Sequence, residues 1–303
     1  MRQAFTDGLL REEHRSELIF LTGDLGYRAL EPLRDALGPR FINAGIAEQN
    51  MVSVAAGLAR QGLRPWVYSI APFVFARPFE QIRNDVCLHR LPVVLVGNGG
   101  GYGYGVMGST HHALEDYGVL LTLSGLQAFI PAFDSDLATL IPSLCESQQP
   151  CYLRLGLGEQ PRTWTAPPYG PWRKLAAGHG GTLIAVGPLA GSLWGPCSEL
   201  PESRRPNLWC LSQLPLPELP EELRRDLAQS SRLTIAEEHV AQGSAGYALA
   251  MELLQSNSAP ASFRHVTALG YPSGRYGSQK FHRAECGLDP ISLLATFSSE
   301  AAP

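Results

Sequence analysis

The chain has 303 residues, 45% hydrophobic and 17% charged, the composition of a core-forming chain long enough for about two domains. Its 24 Lys and Arg against 28 Asp and Glu leave a net charge of −4, so there is no global basic field to hold nucleic acid or an anionic membrane. Six cysteines lacking a CxxC pair or metal-ligand spacing, no apolar signal core behind Met1-Arg2, and no run of about 18 apolar residues predict a soluble protein of the reducing cytoplasm.

Along the first 155 residues, strand-like and helix-like runs alternate. Residues 17–22 (ELIFLT) read as a short apolar strand ending in Gly23-Asp24-Leu25-Gly26, and 40–43 as a strand edge. Over 46–61, Ile46, Val54, Leu58 and the alanines keep helical spacing. Strands are predicted over 65–69 and 92–96, with a helix over 79–88 between them. A glycine-rich loop over 97–108 leads to a helix over 113–121 and a strand over 125–131. Asp134 is expected to cap a helix running to Ser147, before the strand Cys151–Leu155. This alternation predicts a mainly parallel sheet covered on both faces.

Proline and glycine without an apolar period mark 156–180, which suits an interdomain linker. A smaller α/β pattern follows, with strands Thr182–Val186, Asn207–Leu211 and 233–236 and helices over 219–229 and 244–254. The expected division is a domain over 1–158, a linker over 159–180 and a second domain over 181–303.

The strongest chemical signal is Gly45-Ile46-Ala47-Glu48-Gln49-Asn50, a carboxylate opening an apolar helix just after a strand and a small-residue turn. Taken alone, Glu48 is explained by the helix macrodipole, which favours an anion at that end. Its neighbourhood says more. The stretches Phe41-Ile42-Asn43-Ala44-Gly45-Ile46-Ala47-Glu48-Gln49, Ala55-Ala56-Gly57-Leu58-Ala59, Glu80-Gln81-Ile82-Arg83-Asn84-Asp85 and Thr110-His111-His112-Ala113-Leu114-Glu115-Asp116 resemble segments of transketolase and deoxyxylulose phosphate synthase, in order and at matching spacing. The chain is identified as a member of the transketolase family. The resemblance implies a thiamine-diphosphate-binding α/β fold, here a pyrimidine domain followed by the smaller transketolase C-terminal domain.

It also implies site residues. Glu48 matches the family's activating glutamate, a carboxyl that shares a proton with the cofactor's aminopyrimidine ring. In Tyr68-Ser69-Ile70-Ala71-Pro72-Phe73-Val74-Phe75-Ala76-Arg77, an aromatic would stack on that ring; Phe73 is favoured and Phe75 is the alternative. Arg77 matches an arginine of the same helix in many relatives, and a surface ion pair explains it equally well. His111 matches the histidine beside the reacting carbonyl, where a neutral imidazole can donate and accept protons; His112 follows it in the same element, as a second catalytic candidate or a support to it. Asp24 matches an acidic position near the cofactor, at the domain interface. The loop Gly97-Asn98-Gly99-Gly100-Gly101-Tyr102-Gly103-Tyr104-Gly105 could cradle a phosphate, but no helix opens behind it, so it reads as an active-site wall whose glycines permit close backbone approach.

Two absences complete the reading. Family members hold magnesium diphosphate through Gly-Asp-Gly and a later asparagine; Gly23-Asp24-Leu25 with Asn50 lacks the third glycine and places the asparagine inside the Glu48 helix. The diphosphate and Mg2+ half is therefore expected on a partner, an N-terminal transketolase-like subunit, in an α2β2 heterotetramer. Second, the family's sugar-phosphate contacts align with Leu157, Gly99 and Met107, which cannot pair a phosphate. Arg154 substitutes only if the strand register slips. Glu237-Glu238-His239 and Gly243-Ser244-Ala245-Gly246 look like the family's C-terminal domain, expected to support dimerisation, with structural glutamates. The expected activity is transfer of a two-carbon ketol unit from a ketose to an aldehyde. The rivals are a decarboxylating enzyme acting on a 2-oxo acid and a non-catalytic regulatory subunit.

Overall fold

Strands buried along their whole length need cover on both faces, and two sheets in this chain have it. The computed structural model describes residues 1–161, 164–230 and 232–298. In the first sheet, β1 (Leu18–Thr22), β2 (Phe41–Asn43), β3 (Arg64–Ile70), β4 (Val94–Asn98), β5 (Gln127–Phe129) and β6 (Cys151–Leu155) are all parallel. All five residues of β1 and of β6 are buried. The second sheet contains β7 (Trp172–Ala176), β8 (Thr182–Val186), β9 (Asn207–Leu211), β11 (Arg232–Ala236) and β12 (Ser262–Val266) in the order β12-β11-β8-β9-β7. Between β9 and β11 the chain returns to the first sheet as β10 (Gln213–Leu214), an antiparallel edge beside β5 that completes the order β10-β5-β6-β4-β3-β1-β2. One apolar cluster runs from Leu21, Val67 and Leu95 of the first sheet to Ile184, Trp209 and Ile235 of the second, so the two units share a core.

Several predicted elements shift for local reasons. The helix expected from Ile46 begins at Glu48 and runs Glu48–Arg60, because Gly45 is at φ 69° and Ala47 is non-helical at φ −144°, ψ 56°. Ile46 is left in the turn, 81% exposed. The helix expected over 79–88 is a short turn Phe79–Gln81 continued by a π-helical stretch Ile82–Cys87, and a helix Ala71–Phe75 not read from the sequence precedes it. The helix expected over 113–121 shrinks to Asp116–Leu120, since Ala113 is held in a two-bond antiparallel bridge to Gly101. The next helix runs Leu137–Glu146 after a turn Asp134–Asp136 and has no side-chain cap from Asp134; Asp136 Oδ2 instead closes the turn, accepting from the Ala132 and Phe133 amides at 2.9 and 3.1 Å. Within the expected linker, residues 172–176 form β7, paired antiparallel with β9. Arg173 carries its charge from this strand to Asp136, with both terminal guanidinium nitrogens 2.7 Å from the buried carboxylate.

Candidate active site

Parallel strands deliver all their following loops to one edge of a sheet, and ligands of open α/β folds gather there. The exits of β1, β2, β3 and β4 carry Asp24, Glu48, Phe73 with Arg77, and His111 respectively. Glu48 is the first residue of its helix and is 5% exposed. Its Oε1 accepts from Arg77 Nη1 at 2.8 Å, and the helix N-terminus favours the same negative charge. A Cβ added to Gly23 would meet the Gly45 carbonyl at 3.1 Å and stand 3.8 Å from Glu48 Oε1, so the end of β1 packs directly on the carboxylate.

Pro72 starts the short helix Ala71–Phe75, and this turn decides between the two phenylalanines. Phe75 points into the core and is 6% exposed. Phe73 is half-buried on the site side, where the Arg77 guanidinium lies 3.8 Å over its ring centroid. The phenyl face and the carboxylate thus already accept one flat, nitrogen-rich cation between them. His111 approaches the same ring edge-on, centroids 5.3 Å apart, and Thr110 Oγ1 lies 2.9 Å from its Nδ1. Glu48, Arg77, Phe73 and His111 therefore form one contiguous group.

The other expected residues lie apart from it. His112 is buried and faces away: its Nε2 is 2.8 Å from the Gly105 carbonyl and its Nδ1 is 2.8 Å from the Tyr271 hydroxyl. Burial holds this imidazole below its ordinary pKa, so it stays neutral. Asp24 is exposed and accepts from Asn43 Nδ2 at 3.1 Å, on the rim of a cleft of about 370 Å³ that also includes Thr22, Tyr27 and Arg34. Arg154 is buried and turned to protein acceptors. Its Nε donates to Asp116 Oδ2 at 2.7 Å and its Nη2 to the carbonyls of Ala113 and Glu238 at 2.8 and 3.0 Å. The register pairs it with Gly97, without a slip.

In the glycine-rich loop read as an active-site wall, one residue not named for a role, Tyr104, borders His111, and Asn98 holds it. Tyr104 stands 5.8 Å from the His111 ring centroid and accepts from Asn98 Nδ2 at 2.8 Å. Burial raises the Tyr104 pKa, so its phenol keeps its proton. Both residues line a second cleft of about 370 Å³ with Arg2, Gln3, Gly99 and Leu157. A Cβ on Gly99 would run into the Tyr104 ring, so no longer side chain fits there. The signal present in the sequence was the tyrosines interleaved with the glycines of 97–105.

A family model described as the transketolase pyrimidine-binding domain matches residues 1–160. The chain is 29% identical to a subunit of apulose-4-phosphate transketolase from Phocaeicola vulgatus, over 97% of this chain and 95% of that protein. It is 33% identical to 1-deoxy-D-xylulose-5-phosphate synthase 1 of Geobacter metallireducens over 88% of this chain, but spans only 43% of that enzyme. A solved structure described as a split gene transketolase, an inactive beta4 tetramer, superposes with a TM-score of 0.78 at 25% identity, covering 98% of this chain and 96% of the other. Transketolase from Campylobacter jejuni shares the fold, with a TM-score of 0.74 at 17% identity over 98% of this chain and 46% of its own.

Proposed function

Because the chain belongs to the transketolase family, through a pyrimidine-binding domain at residues 1–160, we propose that it is the pyrimidine-side subunit of a two-component thiamine diphosphate enzyme that moves a two-carbon ketol unit from a ketose to an aldehyde. The observation that carries this reading is the buried Glu48 carboxylate grouped with the phenyl face of Phe73 and with His111 at one sheet edge. A flat aminopyrimidine fits there in kind, since a flat guanidinium already bridges the phenyl face and the carboxylate. When bound, the cofactor supplies a carbon nucleophile and an electron sink for cleaving and forming bonds next to a carbonyl.

The chain's own residues do the rest. Glu48 would hold or share a proton with a nitrogen of the aminopyrimidine, in a nearly water-free position. Phe73 fixes the ring's plane by stacking. His111, open to the site and steadied by Thr110, gives and takes the protons of substrate hydroxyl and carbonyl groups. Arg77 must leave the phenyl face to admit the ring, and then serves as a cation at the mouth of the site. Asp24 borders the same edge from β1. Magnesium and the diphosphate belong to the partner, an N-terminal transketolase-like subunit, in an α2β2 assembly. The near end-to-end matches to a protein named as one subunit of a transketolase, and to a split-gene transketolase, support the two-component arrangement.

The acceptor is a less polar or carrier-tethered aldehyde. Leu157 and Met107 are 57% and 54% exposed where a sugar phosphate would need donors, and Arg154 is buried with its Nε and Nη2 spent on protein acceptors. The decarboxylating reading draws its support from the 33% identity to the synthase. Calorimetry and turnover with the co-expressed partner test both. Thiamine diphosphate should bind the complex and leave this chain alone essentially untouched, and the complex should pass label from a ketose to an aldehyde. Micromolar binding by the isolated chain refutes the two-component reading; carbon dioxide release from pyruvate favours the synthase branch; no cofactor-dependent turnover leaves a regulatory role.

A further inference from the structure

We infer that the second unit sets the position of His111, with Tyr271 acting through His112 as a positioning residue; this rests on the role proposed above for His111. The two adjacent histidines stand back to back. His111 faces Phe73 and Tyr104. His112 faces Tyr271, Tyr102 and His282, with ring centroids 5.7, 5.2 and 5.1 Å away. The Gly105 carbonyl can only accept, so His112 Nε2 carries the proton and Nδ1 accepts from the Tyr271 hydroxyl. One hydroxyl from the second unit therefore fixes the tautomer and the plane of His112. Through Gly105 and the two histidine amides that share the Gly108 carbonyl (3.0 and 3.1 Å), it fixes the backbone that aims His111.

The rest of the loop is gripped from the same side. Gly101 and Ala113 exchange bonds of 2.9 and 3.0 Å that close its base. Tyr102 donates its amide to Glu238 Oε1 at 3.3 Å and its hydroxyl to the Gly270 carbonyl at 2.7 Å. Glu238 is itself held by Gln279 at 3.0 Å and Arg283 at 2.9 Å. The loop glycines serve this grip. A Cβ on Gly101 (φ 65°) would stand 2.8 Å from Glu238 Cδ, and one on Gly108 (φ 74°) 2.9 Å from the Tyr276 ring. Close approach by the second unit, with backbone conformations that L side chains avoid, explains a glycine-rich stretch that no phosphate explains.

Tyr271→Phe keeps the stacked ring and deletes only the hydroxyl. Hydrogen exchange of amides 101–113, measured on the full chain without partner or cofactor, should quicken roughly threefold to tenfold, the loss of one hydrogen bond. Exchange in the first-sheet strands should be unchanged. His112→Gln, which disrupts both bonds, should loosen the loop further, and Tyr247→Phe, at a ring that is 59% exposed, should leave it as it was. In the reconstituted complex at saturating cofactor, Tyr271→Phe should lower kcat roughly tenfold with the KM for the ketose little changed, since aim and not affinity is lost. Unchanged exchange of the loop, or faster exchange with kcat intact, overturns the inference. A wild-type complex without ketol transfer, beside a loop loosened by Tyr271→Phe, breaks the functional reading and leaves the clamp standing.

Discussion

Glu48→Gln separates a proton-handling carboxyl from a helix-start anion. The side chain is 5% exposed, wedged between Gly23 and the Arg77 guanidinium, and an isosteric amide fits the same space. Its oxygen still accepts from Arg77, but the bond is no longer charge-assisted. That exchange costs about 1 kcal/mol, from roughly 1.5–3 down to roughly 0.5–1.5. Loss of the anion at the helix N-terminus costs a further ~0.3–1 kcal/mol. Against a typical stability of about 5–15 kcal/mol, the variant stays folded. Turnover should fall at least ~10²-fold, about 2.7 kcal/mol of barrier, because an amide cannot share the ring nitrogen's proton. The assay is kcat of the reconstituted complex at a cofactor concentration shown by calorimetry to saturate the variant, with a melting curve of the same preparation. Activity within about threefold of wild type, with cofactor bound, would refute the reasoning and leave Glu48 as a helix-start carboxylate.

Arg154→Met should destabilise the chain by about 3–5 kcal/mol, because Asp116 stays buried without its cation, and lower the thermal midpoint by roughly 10 °C; a shift under about 2 °C would show that the Asp116 pair contributes little. Leu157→Arg should turn acceptor preference towards ribose 5-phosphate in a competition assay, as a hydrogen bond from the new guanidinium to phosphate is worth about 1.5–3 kcal/mol; a wild-type preference for that sugar phosphate would refute the less polar acceptor. Burial pushes the His239 pKa down, so the unfolded chain takes up this proton first as the pH falls. Stability linked to His239 is therefore complete above an imidazole's ordinary value of about 6.5 and is lost below it, at up to ~1.4 kcal/mol per pH unit. Melts at pH 7.5 and 5.5 should show His239→Gln with the flatter dependence.

Much of the first unit was legible along the chain. Apolar runs and turn residues mark β2, β3 and β4, and a parallel sheet sends their exits to one edge, which brings Glu48, Phe73 and His111 together whatever the details of packing. Local backbone chemistry hid the element ends. The π-helical stretch at Ile82–Cys87 keeps the apolar pattern of an α-helix, and β7 lies in a proline- and glycine-rich segment, from which Arg173 reaches Asp136. The choice between Phe73 and Phe75 needed the turn of a five-residue helix, which sends one ring to the core and the other to Arg77.

The duties of His112, Arg154 and the loop glycines were not in the local sequence at all. His112 and Tyr271 are 159 positions apart, and Arg154 reaches the Glu238 carbonyl across 84. A histidine next to His111 carries the same local pattern whether it faces a substrate or a neighbouring domain. Sequence alone determined the family, the parallel sheet and the candidacy of Glu48 and His111, since these depend on spacing within one strand-loop-helix unit. Only the tertiary structure decided which of two histidines the second unit engages and which arginine is spent on a buried carboxylate. Those outcomes depend on the buried polar groups that the second sheet brings against the first, each of which must find a partner.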